Sequence, residues 1–190
     1  MYAATPDPYC YPGSTVLINR LDLTEQAALD AFEADMVTQR GDEPLPEGGF
    51  DAAHYRAVHH HLFQDIYAWA GKYRTVRISK GGSMFCYPEH IRAQTRNLFA
   101  WLDHHGRFEG YGAGDFAEYG AHFLGELNAI HAFREGNGRA QMVFFAMLAH
   151  NAGHDLDFGR LEPVPFLAAM IEAFGGDERP LGEQIRRLIG

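Results

Sequence analysis

DFAEYGAHFLGELNAIHAFREGNGRAQMVFFAMLAHNAG, residues 115–153, consists of two apolar stretches with a polar break between them. Before the break, Phe116, Tyr119, Phe123, Leu127 and Ile130 recur at helical spacing, with Asp115 placed as the N-cap. After it, MVFFAMLAHNAG reads as a buried helix closed by Asn151 and Gly153. The break, His131 to Arg139, is too rich in chemistry to be a plain connector. Gly136 and Gly138 let the backbone turn sharply and approach a ligand. Free N–H groups at the start of the second helix, together with its dipole, make a natural anion site. Asn137 adds an amide donor and Arg139 a permanent cation, which suits a polyphosphate. Glu135 is out of place beside phosphates unless a cation such as Mg²⁺ lies between them. His131, at the end of the first helix, has the ordinary imidazole pKa range of a general base near neutral pH. Phe133 reads as the apolar anchor of the loop.

Working outward, the remaining elements are also helical. Asp22 and Glu25 have capping-box spacing ahead of EQAALDAFEADM, with Ala27, Ala28, Ala31 and Phe32 on one face. Asp51 caps a second helix carrying Val58, Leu62, Ile66 and Trp69, which Gly71 ends. Tyr73, Val76, Ile78, Phe85 and Tyr87 flank Gly81-Gly82, a pattern that reads as a short hairpin, with a plain loop as the alternative. Pro88 starts a helix with Ile91, Leu98 and Leu102 inside, and Gly106 to Gly114 is a connector. Two more helices span Pro163 to Phe174 and Leu181 to Ile189, while Thr5 to Gly13 is irregular. The expected fold class is all-α with one small hairpin.

The bulk numbers bound the function. The chain has 190 residues, 46% of them hydrophobic, enough for one domain with a sizeable core. A net charge of −9 argues against a nucleic-acid-coating or membrane-binding surface. No apolar run is long enough to span a bilayer, and no signal peptide is visible at the N-terminus. Two cysteines, Cys10 and Cys86, are too few for a disulfide scaffold, and neither has an activating neighbour in sequence, so a cytoplasmic location is expected. His59-His60-His61 is a poor metal site, because consecutive helical residues point about 100° apart. His150 and His154 are better spaced but lie across a helix end at Gly153.

HAFREGNGR resembles the signature of the Fic family, His-x-Phe-x-(Asp/Glu)-Gly-Asn-Gly-Arg-x-x-Arg. YAWAGKYRTVRISKGGSMF is similar to its flap region, and YPGSTVLINRL to the entry of short bacterial Fic toxins. The resemblance implies a single Fic domain over 1–190, with a core of about 9–155 and C-terminal helices over 156–190. It implies ATP as donor, Mg²⁺ as cofactor, and AMP transfer to a hydroxyl of a target protein, with a subunit of DNA gyrase or topoisomerase IV as a candidate target. In that scheme His131 deprotonates the acceptor and Glu135 holds Mg²⁺. Gly136, Asn137, Gly138 and Arg139 bind the phosphates, and Ser79, Lys80, Gly81, Gly82, Ser83 and Met84 form the flap that docks the target. Fic proteins are often inhibited by a helix bearing Ser/Thr-x-x-x-Glu; no Ser or Thr of this chain stands four residues before a Glu, so a separate small antitoxin is the expected partner.

Two positions depart from the signature. Ala132 replaces the usual proline, and Met142 replaces the second arginine, which the family uses for the outer phosphates. A methionine cannot bind an anion. Two other readings therefore stand beside adenylyl transfer: a Fic enzyme with a different donor or transferred group, and a degenerate Fic fold kept as a binding module.

Overall fold

The computed structural model describes residues 7–190. Residues Thr5 and Pro6 of the irregular entry, and the start of the stretch read for a signal peptide, lie outside them. Seven α-helices follow in chain order: α1 (Gln26–Gly41), α2 (Ala52–Phe63), α3 (Pro88–His104), α4 (Ala113–Ile130), α5 (Asn137–Asn151), α6 (Pro163–Phe174) and α7 (Arg179–Leu188). Between α2 and α3 lies a two-stranded antiparallel hairpin, β1 (Ser79–Lys80) and β2 (Ser83–Met84), paired Ser79 with Met84 and Lys80 with Ser83. The architecture is the expected one, all-α with a small hairpin.

Helix α4 is the central element, packed on α3, α5, α6 and α7. Nine of its residues are buried, Phe116, Phe123, Leu127 and Ile130 among them, which is why it reads as apolar on more than one side. Phe144, Phe145 and Leu148 of α5 complete this core with no exposure. Burying side chains of that size contributes roughly 1.5–3 kcal/mol each. The core therefore fixes the end of α4 and the start of α5, the two points between which the motif hangs. An isolated bridge between Leu156 and Ile189 ties the C-terminal segment back on itself.

Several local expectations are corrected. Asp22 does not cap α1, which begins after Glu25 with no side-chain cap. Asn19 organises that turn instead: its Nδ2 donates to the carbonyls of Leu17 and Leu23, and its Oδ1 accepts the N–H groups of Leu21 and Leu23. All of the amide's bonding capacity serves the turn, and Asp22 is left with a φ of 54°. The buried face of α1 is Leu29 with partly buried Phe32, Met36 and Val37; Ala27, Ala28 and Ala31 are exposed. Asp51 does cap α2, accepting the His54 N–H at 2.8 Å. That helix ends at Phe63, however, and Ile66, Trp69 and Gly71 lie in the turns that follow. Asp115 sits in the first turn of α4, whose N-cap is Gly112. The last helix starts at Arg179, two residues before the expected Leu181. Among the described residues no helix is long and apolar enough to cross a membrane.

Candidate active site

His131 closes α4. Its N–H still donates to the Leu127 carbonyl, but its own backbone is left-handed, with φ 46° and ψ 62°. An L-residue with a Cβ pays about 1–2 kcal/mol for that conformation. The ring lies stacked 3.9 Å from Phe85, which follows β2. Its Nδ1 is 3.2 Å from the Asn128 carbonyl. A carbonyl only accepts, so Nδ1 carries the proton and Nε2 of the neutral ring keeps its lone pair. Burial pulls the imidazole pKa down to about 4, and the Arg74 and Lys80 charges push it the same way. The expected ordinary value is thus corrected: the ring is neutral, and able to accept a proton, well below pH 6.5.

The loop turns at Gly136, with φ 77°. A Cβ there would lie 2.2 Å from Cζ of Phe63, so the position excludes any side chain on steric as well as conformational grounds. Gly138 is different: it lies within α5 and has open space where a Cβ would be, so only Gly136 makes the turn. Helix α5 has no side-chain cap, and among the described residues the N–H groups of Asn137, Gly138 and Arg139 have no hydrogen-bond partner. Free donors at a helix start are what an anion site requires. The Asn137 side chain is not one of them. Its Oδ1 accepts the Phe133 N–H at 2.9 Å and its Nδ2 donates to the Phe133 carbonyl at 2.8 Å, so the amide staples the loop and only its backbone N–H remains for a ligand.

Glu135 is exposed. Its Oε1 accepts the Gly136 N–H at 2.9 Å and lies 3.5 Å from Nη2 of Arg139. Among the described residues no group of three or more acidic, His or Cys side chains converges on a metal position. A cation held by Glu135 would therefore take its other ligands from phosphate oxygens and water, which is how Mg²⁺ is commonly bound. Arg139 stacks over Phe63 at 4.9 Å and pairs with Glu33 of α1. Met142, on the next turn of α5, is half-buried against the core and brings no charge to the site.

Two residues that sequence reading passed over hold this loop in place. His59, which the sequence marks only as a poor metal ligand, is fully buried between Phe133, 3.7 Å away, and Phe63, 4.7 Å away. Its Nδ1 accepts the Gly71 N–H at 2.9 Å, so Nε2 carries the proton and donates to the Glu135 carbonyl at 3.0 Å. Burial lowers its pKa to about 3. Arg74 is 2% exposed, with no carboxylate partner among the described residues. Its guanidinium donates to the carbonyls of His131, Ile130, Val76 and Cys86, and its N–H to that of Ala132. The flap's two stems are thereby tied to the histidine. Nothing in the local sequence marks either residue, because their partners are backbone groups distant in the chain.

The other candidates separate. His61 bonds the Arg40 carbonyl, His150 bonds Asp155 at the surface, and His154 bonds the Tyr111 carbonyl, so no pair of them shares an ion. Burial raises the thiol pKa of both Cys10 and Cys86, in keeping with unreactive cysteines. The flap residues Ser79, Lys80, Gly81, Gly82 and Met84 are exposed and Ser83 partly so; Gly81 and Gly82 both have positive φ, as a two-residue hairpin turn requires.

A sequence model of the Fic/DOC family matches residues 49–149. The chain is 52% identical to a probable protein adenylyltransferase, y4lH, of Sinorhizobium fredii, over 99% of this chain and 98% of that one. It is 36% identical to the probable protein adenylyltransferase Fic of Escherichia coli, over 82% and 78% of the two chains. Among solved structures it is similar to the BepC protein of Bartonella tribocorum with bound AMPPNP, at a TM-score of 0.86 and 26% identity over 96% of both chains.

Proposed function

The chain belongs to the Fic/DOC family, and on that premise we propose that it is a protein adenylyltransferase that moves AMP from ATP to a hydroxyl of a target protein. The observation that carries this reading is the pairing of a base with an anion site. His131, neutral and held with Nε2 free, ends one helix, and the unpartnered N–H groups of Asn137, Gly138 and Arg139 open the next. His131 accepts the proton of the acceptor hydroxyl as its oxygen forms a bond to the α-phosphorus. The bond from that phosphorus to the bridging oxygen breaks, and pyrophosphate leaves with the electron pair. The α5 amides and Arg139 hold the phosphates. Glu135 would hold Mg²⁺ against them, and the ion when bound offsets their charge. The hairpin of Ser79 to Met84 has exposed strand edges, which suit an extended target segment added as a further strand.

Incubation with α-labelled ATP and candidate proteins, read by mass spectrometry, tests this. The expected product is a Ser, Thr or Tyr bearing one AMP, with pyrophosphate released; type II topoisomerase subunits are the first candidates. Transfer of any other nucleotide fragment in preference to AMP would replace the proposed donor, a reading that Met142 keeps in play. The lack of Ser/Thr-x-x-x-Glu in the chain supports inhibition by a separate small protein, which co-purification from the native host would reveal.

A further inference from the structure

Of the two signature arginines this chain keeps only Arg139, since Met142 stands in the second place. A free arginine side chain carries about 2 kcal/mol of rotamer entropy that a ligand must overcome. Here the side chain is already held. One terminal nitrogen, Nη2, pairs with Oε1 of Glu33, and its plane rests over the Phe63 ring at 4.9 Å. Glu33 is itself held. Its side chain is 12% exposed, and its other oxygen, Oε2, accepts the Tyr67 hydroxyl. Tyr67 is 1% exposed and stacks on Trp69 at 4.3 Å and on Phe63 at 6.3 Å. A largely buried carboxylate with both oxygens engaged is a rigid anchor. Glu33 comes from α1, outside the residues 49–149 that the family model matches.

We infer that Glu33 is a positioning residue for the nucleotide: gripped by Tyr67, it fixes the Arg139 guanidinium at the start of α5 so that the donor's phosphates meet an already ordered cation. Among the described residues only Nη2 is used, which leaves Nη1 and Nε for phosphate oxygens. Helix α1 is thus part of the donor site and does more than cover the core. The opposing effect is repulsion between the Glu33 carboxylate and the donor. It is reduced because the charge is paired to Arg139 and bonded to Tyr67.

The inference rests on the donor role proposed for Arg139, and two measurements separate the two. The first needs no nucleotide. In the free protein the Arg139 ¹⁵Nη signals should be resolved by hindered rotation, and should merge in Glu33→Gln. Unresolved signals in the wild type, or signals unchanged in Glu33→Gln, overturn the anchoring. The second is calorimetric titration with AMPPNP. Glu33→Gln should weaken binding about three- to tenfold, the scale of the lost ordering, and Tyr67→Phe should weaken it less. Asp65→Asn breaks the Arg40–Asp65 pair, which also docks α1 on the segment after α2 without touching Arg139, and should bind as wild type. Equal or tighter binding by Glu33→Gln, or equal weakening by Asp65→Asn, refutes the positioning role. If the wild type shows the ordered Arg139 and yet no AMPPNP binding, the donor reading fails, and with it the positioning role.

Discussion

Replacing His59 by Phe keeps a flat ring between Phe63 and Phe133 and removes only its two hydrogen bonds. The Gly71 N–H would lose its partner in a buried setting, and the carbonyl of the exposed Glu135 in a partly buried one. Leaving a buried polar group unpaired costs about 1–3 kcal/mol and a part-buried one about 1 kcal/mol or less, so the pair costs roughly 2–4 kcal/mol at pH 7.5, reduced by about 1 kcal/mol for the more apolar ring. A pH dependence separates this from a packing defect. The folded pKa of about 3 lies below the unfolded value of 6.5. Between these values the unfolded chain binds a proton that the folded protein refuses, so the stability present above pH 6.5 is lost progressively as the pH falls towards 3. At pH 4.5, two units below 6.5, His59 alone accounts for about 3 kcal/mol of that loss. Urea unfolding followed by circular dichroism at pH 7.5 and 4.5 measures both effects. His59→Phe should be less stable at pH 7.5, yet lose about 3 kcal/mol less than wild type on acidification. A cost below about 0.5 kcal/mol at pH 7.5, or an unchanged acid response, would show that His59 does not hold the motif loop as described.

His131→Ala should abolish transfer and leave nucleotide affinity within about twofold, because the base acts on the acceptor; near-normal modification by the variant would remove it as the base. With its pKa near 4, the wild-type rate should stay level from pH 7 to about 5 and fall as His131 takes up a proton near 4; a break at an ordinary imidazole value in kcat/KM contradicts the burial. Gly136→Ala forces a Cβ into the Phe63 ring at positive φ, and its melting temperature should drop in line with a loss of about 2 kcal/mol or more; an unshifted melt would mean the loop is more pliable than this packing allows. Met142→Arg, if it supplies the missing cation, should tighten ATP binding by roughly 1–3 kcal/mol; a stably folded variant with unchanged ATP affinity would show that position 142 does not reach the phosphates.

Much was legible because it is written locally. The helices α3 to α6 follow from apolar periodicity, with a proline at the start of α3 and of α6, and the hairpin follows from β-formers around two glycines with positive φ. The motif was legible as chemistry because its base, acid and helix start are adjacent in the chain. Residues within one or two turns of each other constrain one another without help from the rest of the fold.

What stayed hidden depends on contacts between distant segments. Sequence reading spent Asn137 on the ligand, but its amide closes the loop onto Phe133. The sequence marks His59 only as a poor metal ligand, but burial between two aromatic rings makes it the bond holding the Glu135 carbonyl in place. Arg74 bonds carbonyls 56 and 57 residues away, and Arg139 meets Glu33 from 106 residues away. The His131 pKa also belongs to this group, since burial against Phe85 and the nearby Arg74 charge lower it, and neither is adjacent in sequence. A residue's identity states which bonds it can make, and from this the sequence determined the helices and the reactive groups. Which bonds are made depends on what the rest of the chain brings within about 3 Å, and that was decided by the packing of α1, α2 and the flap around the motif.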